Sequence, residues 1–571
     1  MSFQPVPTET PGVALHAGAD TAAARRVLTP EALALVARLH RALDAERHAL
    51  LAARADRQRD WDAGALPERV ATPEASGDWR VAPLPSDLLT RRVEITGPVH
   101  DPRMVVNMLS RGADGHRADA AMLDFEDSLK PSWRNVMAGV ENVAAAARGD
   151  LHAVKTDDQG AVVKTYALDP DDMPLMMVRV RGLHLDESNL RVDGQPVAGG
   201  LLDLALCALH SVAALRQRGV TPAYYVPKVE HHTEARWWDR LFALVEDGLG
   251  LERSTMRATF LIETLPAALQ MEAILYEIRD HAAGLNGGRW DKIFSDIKCL
   301  RAHPDRVLAD RATIGMNRPW MRDYARELIA VCHRHGAFAM GGMAAFTPGR
   351  DPERRAEQTA KVVADKEFEA SIGHDGCWVS HPYFIGPALQ PFLKTLGGAR
   401  NQLGVIPYLD APDLVPQGGG PYTLDGLRTN VRVGIAYLKG WNEDIGCVAW
   451  DDLMEDLATL EISRAQVFQW RAQAVTLDSG ETVTDALVAE VFDQEAARIA
   501  DELAETVSPQ ALDAERAAYA RAAADARTVF LEAEMRPFLT TASDLAPLGG
   551  APAASGDGAS VETIPTTARP A

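Results

Sequence analysis

Eight short runs of apolar and β-branched residues follow one another between residues 92 and 380, and longer amphipathic segments separate several of them. The runs are residues 92–96, 121–125, 175–180, 223–227, 258–263, either 283–286 or 290–294, 337–340 and 377–380. Residues 201–216 and 267–280 have the apolar spacing of helices. Alternating strands and helices predict a parallel sheet, and eight such strands predict a closed (β/α)8 TIM barrel of the α/β class.

The segment before the barrel has a helical pattern. Thr29 suits a helix cap, Pro30 suits the first helical position, and Glu31 suits the positive end of the helix dipole. The apolar residues that follow recur at helical spacing. We therefore predict an N-terminal helical clasp in residues 1–90, followed by the barrel in residues 91–400.

The chain changes character again after the barrel. A Gly- and Pro-rich run at residues 416–421 precedes a mainly helical segment, so residues 401–540 are predicted to form an all-helical C-terminal domain. Residues 541–571 are rich in Ala, Pro, Gly and Ser, and we predict that they form a disordered tail.

Charge and cysteine content exclude several classes of function. The net charge of −21 argues against a nucleic-acid-binding protein with a broad basic surface. The five cysteines include no CxxC pair, which argues against a zinc or redox motif. No apolar run reaches the length of a membrane span, and the N-terminus lacks the pattern of a signal peptide. We therefore predict a cytoplasmic protein with no membrane partner.

Polar residues follow several of the predicted strands, where barrel enzymes carry their chemistry. They are Glu126, Asp127, Arg179, Lys228, Glu263 and Asp291. A carboxylate after an apolar strand, such as Glu263, needs compensation, and a magnesium ion held by one or two carboxylates is one solution. Each acid could instead cap a helix or form an ion pair. Arg179 could instead form a structural ion pair with Glu126 or Asp127. Lys228 could instead lie in a solvated loop.

Ten segments of the chain, in order, resemble one enzyme family. They are residues 91–98, 124–128, 179–185, 261–264, 279–281, 284–291, 339–345, 373–376, 453–456 and 461–464, and the closest is GLNGGRWD at 284–291. Through these segments the chain resembles the malate synthases of the bacterial A type. Several long motifs in the same order are far more specific than any single pattern.

The resemblance implies roles for individual residues. It implies that Glu263 and Asp291 are the ligands of Mg²⁺ and that Arg179 polarises the aldehyde of glyoxylate and stabilises an enolate. It implies that backbone N–H groups in the turn from Gly288 to Asp291 hold the glyoxylate carboxylate. It also implies that Asp456, from the helical domain, is the catalytic base.

Two further residues match positions along an acetyl-CoA channel, namely Ser128 and Pro382. The resemblance implies a condensation of acetyl-CoA with glyoxylate and hydrolysis to (S)-malate and CoA in the glyoxylate cycle. One alternative is a lyase for malyl-CoA or citramalyl-CoA, which generally lacks the helical domain with Asp456. Another is a non-catalytic CoA-binding scaffold. Whether the protein is a monomer or a homo-oligomer is left open by the sequence.

Overall fold

The computed structural model describes residues 3–157, 159–349, 351–410 and 412–540. The strands are β1 (Pro5–Pro7), β2 (Val13–His16), β3 (Val93–Pro98), β4 (Ala120–Asp124), β5 (His152–Thr156), β6 (Val162–Ala167), β7 (Leu175–Arg179), β8 (Asp186–Val192), β9 (Gln195–Ala198), β10 (Ala223–Val226), β11 (Arg257–Leu261), β12 (Ala282–Asn286), β13 (Phe338–Ala344), β14 (Gly376–Val379), β15 (Val448–Trp450) and β16 (Leu453–Glu455). The helices are α1 (Ala22–Val27), α2 (Pro30–Asp62), α3 (Pro102–Met108), α4 (Trp133–Arg148), α5 (Gly199–Gln217), α6 (His232–Leu249), α7 (Leu265–Ala268), α8 (Met271–Glu277), α9 (Arg289–Leu300), α10 (Pro319–His335), α11 (Pro352–Ile372), α12 (Ile385–Leu396), α13 (Leu424–Asn442), α14 (Leu457–Ala472), α15 (Asp485–Thr506) and α16 (Pro509–Phe530).

Eight of these strands form the closed barrel that the sequence predicts. Their order is β3-β4-β7-β10-β11-β12-β13-β14, every neighbouring pair is parallel, and β14 pairs with β3. The sixth strand is β12, so the first of its two candidate runs is confirmed. Residues 290–294 instead lie in α9, whose apolar side chains follow the helical period. The prediction of a (β/α)8 barrel is confirmed.

The N-terminal segment is helical, as predicted, but it also contributes to a sheet. Thr29 caps α2 by accepting a hydrogen bond from the backbone N–H of Ala32, and α2 packs against α5 and α6. Strands β1 and β2 join β8 and β9 in an antiparallel four-stranded sheet. The sequence analysis did not predict this sheet, because its strands are short and its two halves lie far apart in the chain.

Local predictions between the barrel strands are partly confirmed. Between β4 and β7 the chain also forms a hairpin, β5 and β6, which pair antiparallel. The helix expected at residues 267–280 is interrupted and becomes α7 and α8. Helix α5 is long and apolar enough to cross a membrane, which is an exception to the expectation that no apolar run reaches that length. However, 72% of its apolar window is buried inside the fold, as in a core helix.

The C-terminal segment is mainly helical, with α13 to α16 around its own apolar core, and it carries the small antiparallel ribbon of β15 and β16. The ribbon joins it to the barrel: the N–H of Met454 donates to the carbonyl oxygen of Ala345 at 2.8 Å, and that of Thr347 donates to Asp452 at 2.9 Å. Helix α14 also packs against α9. These contacts place the first residue of α14 over the barrel mouth. The predicted tail at 541–571 lies outside the described residues.

Candidate active site

The polar residues that follow the barrel strands meet at one mouth of the barrel. Arg179 is the last residue of β7, and Glu126 and Asp127 follow β4. Glu263 follows β11, and Asp291 lies in the first turn of α9, after β12. Because parallel strands direct their carboxyl ends to the same face, the barrel brings these side chains together from distant parts of the chain.

Arg179 is held by carboxylates from the neighbouring strand. Its Nε and Nη2 donate hydrogen bonds of 2.7 and 2.6 Å to the two carboxylate oxygens of Asp124, and its Nη1 donates one of 3.2 Å to Asp127. Glu126 is farther away, with 3.9 Å between its Oε2 and Nη1 of Arg179. A guanidinium has five N–H groups, so two lie outside these three bonds and are available to a ligand.

Asp124 connects Arg179 to the side of the mouth that carries Ser128. The Oγ of Ser128 donates to Oδ2 of Asp124 at 2.6 Å. Burial raises the pKa of Asp124, but the charge and hydrogen bonds of Arg179, with smaller contributions from Ser128 and Glu126, outweigh it and lower this pKa. The carboxylate is therefore charged and fixes the orientation of the guanidinium. Asp124 was not singled out from the sequence, although its position as the last residue of an apolar strand was a usable signal.

Lys228 is buried at the centre of the acids, so its interpretation as a solvated loop residue is wrong. Its Nζ lies 2.9 Å from both carboxylate oxygens of Asp127, 3.4 Å from Oε2 of Glu126 and 3.3 Å from Oδ1 of Asp291. Its backbone N–H donates to Oε1 of Glu263 at 2.8 Å. The interpretation failed because the residue has a φ of 52°, a backbone turn that the sequence did not predict.

Glu263 and Asp291 are both buried, with 1% and 7% of their surface exposed. Burial, together with neighbouring carboxylates, raises the pKa of each, and Lys228 opposes the rise. Oδ1 of Asp291 and both carboxylate oxygens of Glu126 are buried and accept no hydrogen bond among the described residues, although the Lys228 ammonium lies within ion-pair distance of Oδ1 and of Oε2 of Glu126. Buried carboxylate oxygens of this kind fit a hard cation such as Mg²⁺, which takes one or two carboxylates together with water and substrate oxygens.

In residues 3–157, 159–349, 351–410 and 412–540, the geometry shows no group of three or more His, Cys, Asp or Glu side chains arranged around a common metal position. A magnesium site at this mouth would therefore depend on two protein carboxylates, the number that the sequence resemblance implies. The remaining ligands would come from substrate and water.

Gly288 brings the start of α9 against Glu263. A Cβ at this position would lie 2.9 Å from Cβ and from Oε2 of Glu263, closer than real contacts allow. Gly288 is also the N-cap of α9, and its lack of a side chain leaves the cap without a side-chain hydrogen bond. Backbone N–H groups in the first turn of a helix favour a carboxylate. The turn thus has the geometry that the resemblance implies for the glyoxylate carboxylate.

Asp456 is the N-cap of α14 and is placed by a capping box. Its Oδ1 accepts a hydrogen bond of 3.3 Å from the N–H of Thr459, while its own N–H donates to Oγ1 of Thr459 at 2.9 Å. Burial and, next, the charge of Asp127 raise the pKa of Asp456 to about 7, against the opposing charges of Arg179 and Lys228. The carboxylate is thus a stronger base than an ordinary aspartate.

A cavity of about 320 Å³ leads to this aspartate. Ser128, Pro382 and Asp456 all line it, together with Met104, Met108 and Cys447. The structure therefore brings both residues that the resemblance assigns to acetyl-CoA to the same cavity as the implied base. Cys447 was not singled out from the sequence, where a lone cysteine carries little signal. A more open cavity of about 630 Å³, at Arg26 and Glu141, shares no lining residue with this one.

Comparison with known proteins gives a consistent result. Family models match in three places: "Malate synthase, N-terminal domain" over residues 18–74, "Malate synthase, TIM barrel domain" over residues 175–414 and "Malate synthase, C-terminal" over residues 421–544. Arg179, Glu263 and Asp291 lie within the barrel match, and Asp456 lies within the C-terminal match. Ser128 lies between the matched ranges.

Three curated relatives are similar over most of their length. "Malate synthase A" of Escherichia coli (strain K12) is 43% identical over 84% of this chain and 89% of its own. "Malate synthase" of Myxococcus xanthus (strain DK1622) is 45% identical over 83% of this chain and 87% of its own. "Malate synthase, glyoxysomal" of Ricinus communis is 42% identical over 84% of this chain and 85% of its own.

Proposed function

This chain belongs to the malate synthase family and is an acyltransferase that condenses acetyl-CoA with glyoxylate, and we propose that Asp456 is its base, Arg179 its stabilising cation, and Glu263 and Asp291 the ligands of Mg²⁺. The methyl carbon of the acetyl group bonds to the aldehyde carbon of glyoxylate, and water then cleaves the thioester. The products are (S)-malate and free CoA, as in the glyoxylate cycle.

One observation carries the proposal: Asp456, the N-cap of α14, lines the cavity within the electrostatic field of Arg179, and its carboxyl has a pKa of about 7. The methyl group of a thioester is a weak acid, so the base must be stronger than an ordinary aspartate and its product must be stabilised. Asp456 removes the methyl proton, and N–H groups of Arg179 face the enolate oxygen that forms. Asp124 keeps the guanidinium in this orientation.

Glu263 and Asp291 supply the carboxylates of the proposed metal site, and the donor-less Oδ1 of Asp291 supports this role. Bound Mg²⁺ would polarise the aldehyde of glyoxylate and stabilise negative charge on its oxygen. The N–H groups of the turn from Gly288 to Asp291 bind the glyoxylate carboxylate and orient the aldehyde toward the cavity. The acetyl thioester lies along Ser128 and Pro382.

The test is release of free thiol from acetyl-CoA in the presence and absence of glyoxylate. Glyoxylate-dependent release, abolished by a chelator and restored by Mg²⁺, is the expected result. Cleavage of malyl-CoA to acetyl-CoA and glyoxylate without net thiol release would instead support a lyase. Absence of any thiol release in the folded protein with both substrates and Mg²⁺ would overturn the proposal.

The remaining proposals concern organisation. We propose the domain division 1–90, 91–400 and 401–540, with residues 541–571 as a tail, because the barrel begins with β3 and α13 begins the C-terminal helices. We further propose a cytoplasmic location, with acetyl-CoA and glyoxylate as the small-molecule partners and neither nucleic acid nor membrane as a partner.

A further inference from the structure

Lys228 adopts a backbone conformation that lysine rarely takes. Its φ is 52°, in the left-handed region that favours glycine, yet the residue is buried and lies just past the end of β10, after Pro227. Left-handed non-glycine residues persist only where their surroundings hold them, and they are frequent at functional sites. The hydrogen bonds of the Lys228 backbone N–H and carbonyl oxygen therefore identify what holds this turn.

Those bonds run in two directions. The backbone N–H of Lys228 donates to Oε1 of Glu263 at 2.8 Å. Its carbonyl oxygen accepts a hydrogen bond of 2.8 Å from Nη2 of Arg54, a buried residue of the N-terminal helix α2. The backbone of one residue thus connects a helix outside the barrel to a carboxylate at the centre of the mouth, through its N–H on one side and its carbonyl oxygen on the other.

The side chain of Lys228 depends on the same turn. Its ammonium lies 2.9 Å from both oxygens of Asp127 and 3.3 Å from Oδ1 of Asp291. A change of the backbone at this residue would move the donor to Glu263 and the cation beside Asp291 together. Both proposed metal ligands are therefore sensitive to one left-handed residue.

Arg54 is itself firmly placed. Its Nε and Nη2 donate to the two carboxylate oxygens of Glu234 at 2.8 and 2.7 Å. Glu234 also accepts the backbone N–H of Glu230 at 2.8 Å, in the loop that continues from Lys228. The guanidinium of Arg54 thus donates hydrogen bonds both to Glu234 in α6 and to the Lys228 carbonyl oxygen. Its planar arrangement of N–H groups allows these bonds to form at the same time.

We propose that Arg54 is a positioning residue for the metal-binding acids, acting through the left-handed backbone of Lys228. The inference rests on the proposed roles of Glu263 and Asp291. Replacement of a group that hydrogen-bonds a metal ligand typically lowers metal affinity by about 10- to 100-fold, and Arg54 acts one bond further out, so we expect an effect at the lower end of that range. Arg54 differs from usual cases because it lies on the N-terminal clasp and acts through a backbone group.

A purely structural role for Arg54 predicts a different behaviour. Arg57 lies on the same helix and also approaches Glu234, with 3.7 Å between its Nη2 and Oε1 of that residue. No hydrogen bond of Arg57 reaches Lys228 within residues 3–157, 159–349, 351–410 and 412–540. Replacement of Arg57 therefore tests the ion pair with Glu234, whereas replacement of Arg54 tests that pair and the carbonyl bond.

The experiment titrates Mn²⁺ against the full-length protein by electron paramagnetic resonance, in the absence of substrates. The variants are Arg54→Lys, which keeps the charge but loses the fork, the control Arg57→Lys, and Glu263→Gln. Melting temperatures of all variants check that each is folded. We expect the Kd for Mn²⁺ to rise about 10-fold in Arg54→Lys and less than about 2-fold in Arg57→Lys.

Each outcome bears on one claim. Suppose that Glu263→Gln binds Mn²⁺ more weakly than the parent but Arg54→Lys has the parental Kd. This result overturns the role of Arg54 and leaves the proposed metal site intact. An unchanged Kd in Glu263→Gln overturns the proposed metal site itself. If Arg54→Lys does not fold, the same titration is made on Arg54→Met combined with Glu234→Leu, which leaves no member of that ion pair buried alone. A parental Kd in that double variant also overturns the inference.

Discussion

The backbone N–H of Leu457 donates a hydrogen bond of 3.2 Å to the carbonyl oxygen of Asp127. Leu457 is the first residue of α14 and directly follows Asp456, whereas Asp127 lies in the barrel loop after β4. The contact joins the helix that carries the proposed base to the loop that contacts Arg179 and Lys228. The position of the base is therefore set by backbone as well as by side chains.

Replacement of the proposed base tests the chemistry directly. We expect Asp456→Asn to lower turnover by about 10²- to 10⁴-fold, because an amide cannot accept the methyl proton. Asparagine is also a good N-cap, so the melting temperature should stay close to that of the parent. Glyoxylate-dependent thiol release measures the effect. Asp451→Asn, at an exposed residue with a φ of 44° that asparagine tolerates, is the control and should retain turnover. Near-parental turnover in Asp456→Asn would refute the assignment.

The pH dependence of turnover follows from the same residue. The pKa of Asp456 is raised to about 7, so the carboxyl is protonated and inactive as a base well below that pH. Turnover should rise about tenfold for each pH unit up to about pH 7 and then level off. The pH profile of kcat/KM for acetyl-CoA from pH 5 to 9, measured by thiol release, reports this pKa in the free enzyme. A flat profile between pH 5 and 7 would contradict a base with this pKa.

A methyl group at Gly288 should disturb the metal site. In Gly288→Ala the new Cβ would meet Cβ and Oε2 of Glu263 at 2.9 Å, so the carboxylate must move. We expect the Mg²⁺ concentration for half-maximal activity to rise about tenfold or more. Gly287→Ala is the matched control, since its Cβ would meet only side-chain atoms of Tyr324, the nearest at 3.3 Å. Equal magnesium dependence in the two variants would argue against Glu263 as a ligand.

Stability should depend on pH through His281, which lies far from the proposed chemistry at the start of β12. Burial alone lowers the pKa of His281, but its hydrogen bonds to Asp239 and Glu246 outweigh burial and raise this pKa to about 9. A raised pKa stabilises the fold fully below the ordinary value of 6.5, and that contribution is lost as the pH rises through about 9.

We expect the protonated histidine to contribute about 3 kcal/mol at pH 6. The difference in melting temperature between the parent and His281→Gln should therefore be large at pH 6 and smaller at pH 10. His48→Gln, at an exposed position on α2, serves as the control. If the difference in melting temperature between the parent and His281→Gln grew with pH, the pKa of His281 would not be raised in the folded protein.

The barrel could be predicted from the sequence because its strands are apolar on both faces and stand out as continuous runs. The sixth strand was ambiguous, since residues 283–286 and 290–294 are both apolar, and only the glycine pair between them indicates where the strand ends. The sheet of β1, β2, β8 and β9 could not be predicted, because strand pairing over such a separation leaves no local pattern.

The candidate site was predictable where the residue type itself was unusual for its place, as for Arg179 at the end of an apolar strand or Glu263 after one. The burial of Lys228 was not predictable, because a lysine after proline is ordinary in a loop and only the left-handed turn directs its side chain inward. The contact of Arg54 with the site was not predictable either, because it is made to the backbone carbonyl of Lys228 and no side-chain pattern records it.

Helix α14 packs directly against α9 through Ile462 and Ala465 on one side and Ile293 and Ile297 on the other. The first of these helices begins at Asp456, and the second carries Asp291 in its first turn. Asp456 and Asp291 come from different domains and are thus both positioned by one pair of helices that pack against each other. Any movement that lifts the helical domain off the barrel must therefore also separate the proposed base from a proposed metal ligand, because the same helix contact holds both.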